Sequence, residues 1–429
     1  MSVKESIKNI RYLLFVITSL TAIGCGGGSS GSNAVSVDYL PGCESVAEAN
    51  GSLNPKELFS TAVVDPLSVE SALPIGELEA GDYTPINNEL GFLLYTTNIN
   101  VTAPADLYVK TITSTEYLSG PRAGEIDYGM TYQVCSHLVN GKERVAVEGD
   151  YAHMTAVEAV ISTELAGVSC VEDLNPGEST NKCSVNYLNN YLLIDEGTLL
   201  GSGGGTGTGD YRPGFDANLI DFRFENIFVN PNRIGAEEGP GAGYRYGACT
   251  YEYFLDPAKT GYLDKVGVPG NYRVSVTDPC GKLSNVGLAG TAAGVWIAED
   301  KADLDIATDL FDIMSNLLVL ADDLIVPADE MNISTDLITV ADVAGEAALV
   351  NIVKKATGDL NIPYKEMLPG TVYCLEGTSN LGGFVTDFYY YLELVDGGDT
   401  LELERLGAAC NATPEASRTF SGSVMRFVR

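Results

Sequence analysis

Near the carboxyl end of the chain, residues 389–394 read Tyr-Tyr-Tyr-Leu-Glu-Leu and residues 401–404 read Leu-Glu-Leu-Glu. A period of two places successive side chains on alternate faces of a strand, so both stretches are typical of antiparallel sheet. Between about residue 76 and residue 235, short β-rich runs are separated by Gly and Asn clusters. The sequence therefore predicts a mainly β fold, with a β-sandwich or a small barrel in its C-terminal part.

One segment between these regions is ambiguous. Leu310, Ile313, Met314, Leu317 and Leu318 have a spacing that is compatible with a helix. The same residues are also compatible with a pair of strands, and the sequence leaves both interpretations open.

Composition restricts the chemistry of the protein. The 429 residues suffice for two or three domains, and 25 Lys and Arg stand against 58 Asp and Glu, a formal charge of −33. We expect no binding to nucleic acid, because neutralising phosphates requires clustered Lys and Arg. The chain has two histidines, His137 and His153. A site that needs three imidazoles is therefore excluded, and no metal or other cofactor is predicted.

The first 24 residues have the pattern of an export signal. Lys4, Lys8 and Arg11 form a basic start, and the apolar run 12–23 is shorter than the roughly 20 residues that span a bilayer. Residues 20–25, Leu-Thr-Ala-Ile-Gly-Cys, resemble the cleavage box of bacterial lipoproteins. The resemblance implies that Cys25 carries a lipid and that the mature protein is anchored to a membrane.

A Gly/Ser tether follows Cys25 and would hold the folded part away from the membrane. The residue after Cys25 is Gly26, and not the Asp that typically retains lipoproteins at the inner membrane. This favours the outer membrane or the cell surface. The alternative interpretation is an ordinary cleaved secretion signal with an unmodified Cys25.

The other cysteines predict disulfides, because an even number in an exported chain is typical of a disulfide framework. No pair has CxxC spacing, so a zinc ribbon is not expected. Pairing of nearest neighbours gives Cys170–Cys183, Cys249–Cys280 and Cys374–Cys410, and it leaves Cys43–Cys135.

Four short motifs occur in a defined order in the front half of the chain. Residues 101–106, Val-Thr-Ala-Pro-Ala-Asp, are followed by Tyr-Ala-His at 151–153, by Glu-Gly-Thr-Leu-Leu-Gly at 196–201 and by Asp-Phe-Arg-Phe-Glu at 221–225. This order resembles the lysostaphin-type zinc endopeptidase domain, a small β-fold of the duplicated-hybrid-motif kind. The family pattern continues with zinc-binding and catalytic residues that this chain has largely replaced.

The replaced positions imply a degenerate site. Glu89 stands where the family has a metal-binding His, Leu93 where it has Asp, and Asp221 where it has a second metal-binding His. Leu219 replaces one catalytic His, and His153 is the position that is kept. A catalytic zinc needs three protein ligands and a bound water, and Glu89 with Asp221 supplies two.

These observations divide the chain into five predicted parts. They are a signal peptide at 1–24, a lipidated Cys and tether at 25–33, an irregular approach segment at 34–75, a degenerate peptidase-like domain with a Gly-rich extension at 76–300, and a β-rich domain at 301–429. The predicted function is a non-catalytic surface lipoprotein that binds cell-wall glycan-peptide or an envelope protein. The alternatives are a metal-dependent hydrolase with a divergent site and a structural or adhesive surface protein.

Overall fold

The structure is a computed structural model of the chain. It describes residues 40–73, 91–120, 122–175, 178–187, 190–205, 213–224, 242–267, 288–304, 312–313, 315–323, 329–335, 337, 348–355, 360–381, 384–410, 417–422 and 424–429. The predicted signal peptide, Cys25, the tether, Glu89 and Cys280 lie outside these residues. The chain divides into two compact units. One takes in residues up to Glu70 with Phe92–Ala217 and Glu252–Gly261, and the other takes in Ser71–Gly91, Asn218–Tyr251 and Tyr262–Arg429.

The first sheet is large and open. Its strands are β1 (Val69–Ala72), β2 (Gly91–Leu94), β3 (Ile99–Thr102), β4 (Leu107–Tyr117), β5 (Ile126–Val139), β6 (Lys142–Val157), β7 (Val171–Asn175), β8 (Glu178–Asn186), β9 (Leu192–Ile194), β10 (Leu199–Gly203) and β11 (Gly214–Asp221). Their order is β1-β2-β11-β6-β5-β4-β8-β7. In addition, β10 pairs with β3 and β6, and β9 pairs with β4.

The two faces of this sheet differ in polarity. One face packs aromatic rings. The Tyr151 ring lies 4.8 Å from that of Tyr132 and 5.4 Å from that of Phe215, centre to centre. Each such buried side chain contributes about 1.5–3 kcal/mol of hydrophobic stabilisation. On the other face, Thr131 pairs with Thr111 and with Asp150, and all three are half-buried. This division is typical of an antiparallel sheet with one solvated face.

The long hairpin of β5 and β6 is irregular. Its register shifts between Tyr128 and Met130, between Gln133 and Cys135, and between Cys135 and Ser136. Such bulges bend a strand and redirect its side chains. Cys135 forms a disulfide with Cys43, which attaches the first helix to this hairpin.

Short helices accompany the sheet. They are α1 (Cys43–Ala49), α2 (Ala159–Leu165), α3 (Ala242–Tyr246) and α4 (Ala258–Leu263), with 3-10 turns at Pro66–Ser68, Thr250–Tyr253, Glu299–Lys301, Tyr364–Glu366 and Asp396–Gly398. The segment 34–75, which the sequence presents as irregular, thus contains α1 and β1. None of the helices in the described ranges is long and apolar enough to cross a membrane.

The C-terminal sheet is a closed antiparallel barrel. Its strands are β12 (Gly294–Ala298), β13 (Leu317–Asp322), β14 (Glu330–Thr335), β15 (Ala348–Val353), β16 (Tyr373–Leu381), β17 (Phe384–Val395), β18 (Thr400–Arg405) and β19 (Met425–Val428). Each strand pairs with the next, and β19 pairs with β12. The predicted mainly β class, with a barrel in the C-terminal part, is confirmed.

Apolar side chains fill the barrel. Leu392 and Leu403 face each other in the pairing of β17 with β18, and both are fully buried in the core. Glu393 pairs with Glu402 on the alternate positions, so these stretches do alternate as their sequence predicts. Of the ambiguous residues, Leu317 and Leu318 lie in a strand, whereas Ile313 lies in helical backbone. Leu310 and Met314 lie outside the described residues. Every residue of β13 is buried, and for this reason its sequence carries no alternation.

Three disulfides are present between described cysteines: Cys43–Cys135, Cys170–Cys183 and Cys374–Cys410. They are three of the four pairs that nearest-neighbour pairing predicts. Because Cys280 lies outside the described residues, the Cys249–Cys280 pair stays a prediction. Cys374–Cys410 lies beside the barrel strands, where it packs with Tyr391.

Candidate functional site

Two of the degenerate peptidase positions hold apolar side chains. Leu219 is buried on β11, and Leu93 is half-buried on β2. An aliphatic side chain has no lone pair to offer a metal ion. Neither position can therefore bind zinc or act as a base.

The carboxylate of Asp221 is paired with the guanidinium of Arg223. This carboxylate is 1 % exposed and accepts hydrogen bonds from Arg223 Nε at 2.9 Å and from Arg223 Nη2 at 2.7 Å. The backbone N–H of Arg223 adds a third bond at 3.0 Å. Charge-assisted bidentate pairs of this kind are among the stronger hydrogen bonds in proteins. Three of the roughly four acceptor sites of the carboxylate are thus used by Arg223.

His153 lies between two other carboxylates. Its Nδ1 is 2.9 Å from Asp127 Oδ2, and its Nε2 is 3.1 Å from Asp216 Oδ2. The three residues lie on β5, β6 and β11, which are neighbours in the sheet. Arg122 extends the group, with Nη2 3.4 Å from Asp127 Oδ2. We call Arg122, Asp127, His153 and Asp216 the His153 network.

The two carboxylates fix the protonation state of His153. Burial by itself lowers the pKa of the imidazole, but Asp216 and Asp127 outweigh it and raise the pKa to about 11. The ring is then an imidazolium at neutral pH, and both nitrogens donate hydrogen bonds. A general base needs an unprotonated nitrogen near the operating pH. His153 therefore acts as a half-buried cation that joins three strands.

The backbone at His153 is unusual for a residue with a side chain. Its φ is +63°, in the left-handed region that residues other than Gly rarely adopt. Gly205 donates its N–H to the His153 carbonyl at 3.1 Å. A Cβ on Gly205 would lie 3.1 Å from the same oxygen, which is tighter than ordinary contacts. The glycine at 205 thus allows a loop to approach the distorted strand.

The motif comparison misses the two residues whose side chains contact the His153 ring. Asp127 is outside all four motifs, and Asp216 precedes the last one. Along β11, Asp216 lies on the less buried face, whereas Leu219 and Asp221 lie on the buried face. The structure therefore groups His153 with Asp127 and Asp216. Leu219 and Asp221 lie on the other face of β11 from Asp216, and Glu89 lies outside the described residues. No local signal in the sequence points to these two aspartates.

No group of three or more His, Cys, Asp or Glu side chains suited to a metal ion is found among the described residues. Comparison of this chain with known protein families, with curated proteins and with solved structures gives no match. The resemblance to lysostaphin-type peptidases remains a prediction from the four motifs. The chemistry of the site must be argued from its own geometry.

Proposed function

We propose that this protein is a non-catalytic lipoprotein of the bacterial cell envelope whose large sheet binds cell-wall glycan-peptide or an envelope protein. The observation that carries the proposal is the pairing of His153 with Asp127 and Asp216. His153 is the kept position of the peptidase pattern, and as an imidazolium it is not a base at neutral pH.

The pairing of Asp221 with Arg223 supports the same proposal. Zinc binding at this position would require the carboxylate to leave a guanidinium that is itself almost fully buried. Breaking a buried ion pair by withdrawing one partner costs about 3–5 kcal/mol. A metal-dependent hydrolase built on this position would have to offset that loss.

Membrane anchoring is the part of the proposal that depends on Cys25. The wild-type protein is expected to fractionate with membranes, and Cys25→Ser is expected to be released or left unprocessed. Immunoblots of membrane and soluble fractions measure both. A Cys25→Ser protein that is processed and membrane-bound like the wild type would contradict the anchor.

The binding role is tested with the full chain. We expect it to cosediment with purified peptidoglycan sacculi, to contain less than one zinc per chain and to leave cross-bridge peptides intact. His153→Ala and Asp221→Asn are expected to change stability and not turnover. One metal ion per chain, with hydrolysis abolished by either substitution, would establish the hydrolase instead.

A further inference from the structure

The polar face of the large sheet carries a second group of side chains. Tyr108 on β4 pairs with Gln133 on β5, and Gln133 pairs with Glu148 on β6, so the three form a row across adjacent strands. Lys110 and Tyr191 lie beside this row, with Lys110 Nζ 4.7 Å from the centre of the Tyr191 ring. We call these five residues the Gln133 cluster.

Gln133 is the member that points to a ligand. The residue is 8 % exposed, and its side-chain oxygen has no hydrogen-bond partner in the part of the chain that the structure describes. An unsatisfied buried polar atom destabilises a protein by about 1–3 kcal/mol. Buried polar atoms normally have a partner for this reason. A hydroxyl or an amide N–H that donated to the Gln133 oxygen would remove this cost.

The neighbours of Gln133 offer complementary chemistry. Tyr108 and Tyr191 meet edge to face, with ring centres 5.9 Å apart. Tyr191 is half-buried and provides apolar surface, whereas Tyr108 is buried behind it. Lys110 provides an ammonium donor. Burial raises the pKa of Glu148, while a hydrogen bond from Gln133 and the charge of Lys110 oppose that change. One patch thus combines an acceptor, a cation, a carboxyl group and aromatic rings.

A separate cleft lies farther along β5, around Ser136–Leu138, and none of the five cluster residues lines it. It has a volume of about 490 Å³. It is lined by Leu40, Pro41, Gly42, Glu44, Ser45, Ser136, His137, Leu138 and Glu143. Burial raises the pKa of Tyr191, and the nearby charges of Glu143 and Glu148 add to the effect. Glu143 thus lines the cleft, and its charge also acts on Tyr191.

We propose that the Gln133 cluster binds an N-acetylated amino sugar of a glycan strand. The inference rests on the proposed cell-wall binding and names the ligand group and its site. An acetamido group fits the donors and acceptors present: its N–H donates to the Gln133 oxygen, and its carbonyl accepts from Lys110. Sugar hydroxyls meet Glu148, and the apolar face of the ring lies against Tyr191.

The topology favours a glycan over a peptide. Peptides commonly bind a sheet by adding a strand at a free edge. Here β4, β5 and β6 each have strands paired on both sides, so no edge is available at the cluster. Recognition must then come from side chains, as it does for a sugar.

The chain has a single glutamine, which makes a direct test possible. In the full chain labelled with ¹⁵N only at the glutamine side-chain amide, NMR shows one pair of signals, from Gln133. Adding tetra-N-acetylchitotetraose is expected to shift this pair in a saturable way. Gln133→Met and Lys110→Met are each expected to weaken the affinity, measured by calorimetry, at least 10-fold. Gln133→Met is expected to keep or raise the melting temperature, because it removes an unsatisfied polar atom.

Lys182→Met is the matched control, because Lys182 lies on β8 and pairs with Asp173. It should leave the affinity unchanged. The assignment is wrong if the oligosaccharide leaves the Gln133 signals in place, if a peptidoglycan stem peptide shifts them instead, or if both Met variants bind normally. Variants that bind sacculi as the wild type does would refute the site and leave the proposed function standing. A wild type that binds the oligosaccharide but not sacculi would refute the function and leave the site standing.

Discussion

The barrel and the large sheet differ in where they place polar groups. In the barrel, alternate residues such as Leu392 and Leu403 form an apolar interior. In the large sheet, one face packs aromatic rings, and the other carries the charged His153 network across three strands. The comparison indicates that apolar packing fills the interior of the barrel, whereas the polar face of the open sheet depends on the positions of charges. The predictions below test that difference in order of decreasing effect.

The disulfides should differ in their effects according to the loops they close. Cys43–Cys135 in the large sheet spans 92 residues, and Cys374–Cys410 beside the barrel spans 36. Chain entropy alone gives losses in unfolding free energy of about 5 and about 4 kcal/mol for the two Cys-to-Ser double variants. Urea unfolding followed by circular dichroism measures both. A larger loss from the barrel pair would show that its local packing outweighs loop length.

Trp296 should be the most sensitive single position in the barrel. It is fully buried, its Nε1 donates to the Ala292 carbonyl at 3.0 Å, and the Arg429 guanidinium lies 4.0 Å from its ring. Trp296→Ala is expected to lower the unfolding free energy by about 3–5 kcal/mol. Trp296→Phe, which keeps most of the volume, should lose clearly less. Equal losses would mean that the indole N–H, and not packing, stabilises this end of the barrel.

His153 should make the large sheet sensitive to alkaline pH. The pKa of His153 in the folded state, about 11, exceeds its ordinary value of 6.5. The stabilisation that protonated His153 contributes is therefore complete below about pH 6.5. The stabilisation then declines as the pH rises towards 11. Asn tolerates the positive φ at position 153. His153→Asn should therefore lower the unfolding free energy by about 3 kcal/mol at pH 7 and should remove this pH dependence.

Hydrogen exchange measured at several pH values can separate the two regions. Amides of β5, β6 and β11 should lose protection as the pH rises, after correction for the intrinsic exchange rate, and amides of the barrel should not. His137→Asn is the matched control, because His137 lies on β5 outside the network. An equal loss of protection in the barrel would contradict the difference between the two regions.

The smallest effect is expected at Tyr390. Its hydroxyl is buried in the barrel and has no hydrogen-bond partner among the described residues. Tyr390→Phe should therefore leave the unfolding free energy unchanged or raise it by up to about 1 kcal/mol. Tyr251→Phe is the counterpart. The Tyr251 hydroxyl lies 2.9 Å from the Leu73 carbonyl and 3.1 Å from that of Gly91, so its removal should destabilise. A loss at Tyr390 would indicate a bound water.

The sequence predicts the barrel strands only where one face of the strand is buried and the other is exposed to solvent. The runs at 389–394 and 401–404 lie in β17 and β18, and their leucines point inwards. Leu317 and Leu318 were ambiguous because β13 is buried on both faces, and a strand of that kind has no period of two. Burial on both faces removes the pattern on which such a prediction depends.

The candidate site was less predictable than the fold. The motif order identifies His153 but not Asp127 and Asp216, because these two residues reach it through strand pairing and bulges in β5 and β6. A bulge changes the face of the sheet on which a side chain lies, and no local sequence pattern predicts the bulge. Gln133 could have been noticed as the single glutamine of the chain. Its burial, however, follows from the register with Tyr108 and Glu148.

The closure of the barrel by its last strand has a consequence for biogenesis. β19 pairs with β12 on one side and with β18 on the other, so the ring is completed by residues 425–428. A polypeptide that emerges amino end first exposes the edge of β12 until that final strand arrives. Exposed edges recruit other chains and promote aggregation. The newly made protein should therefore need a holding chaperone late in its synthesis or translocation, and a ribosome stalled before residue 425 should leave it prone to aggregate.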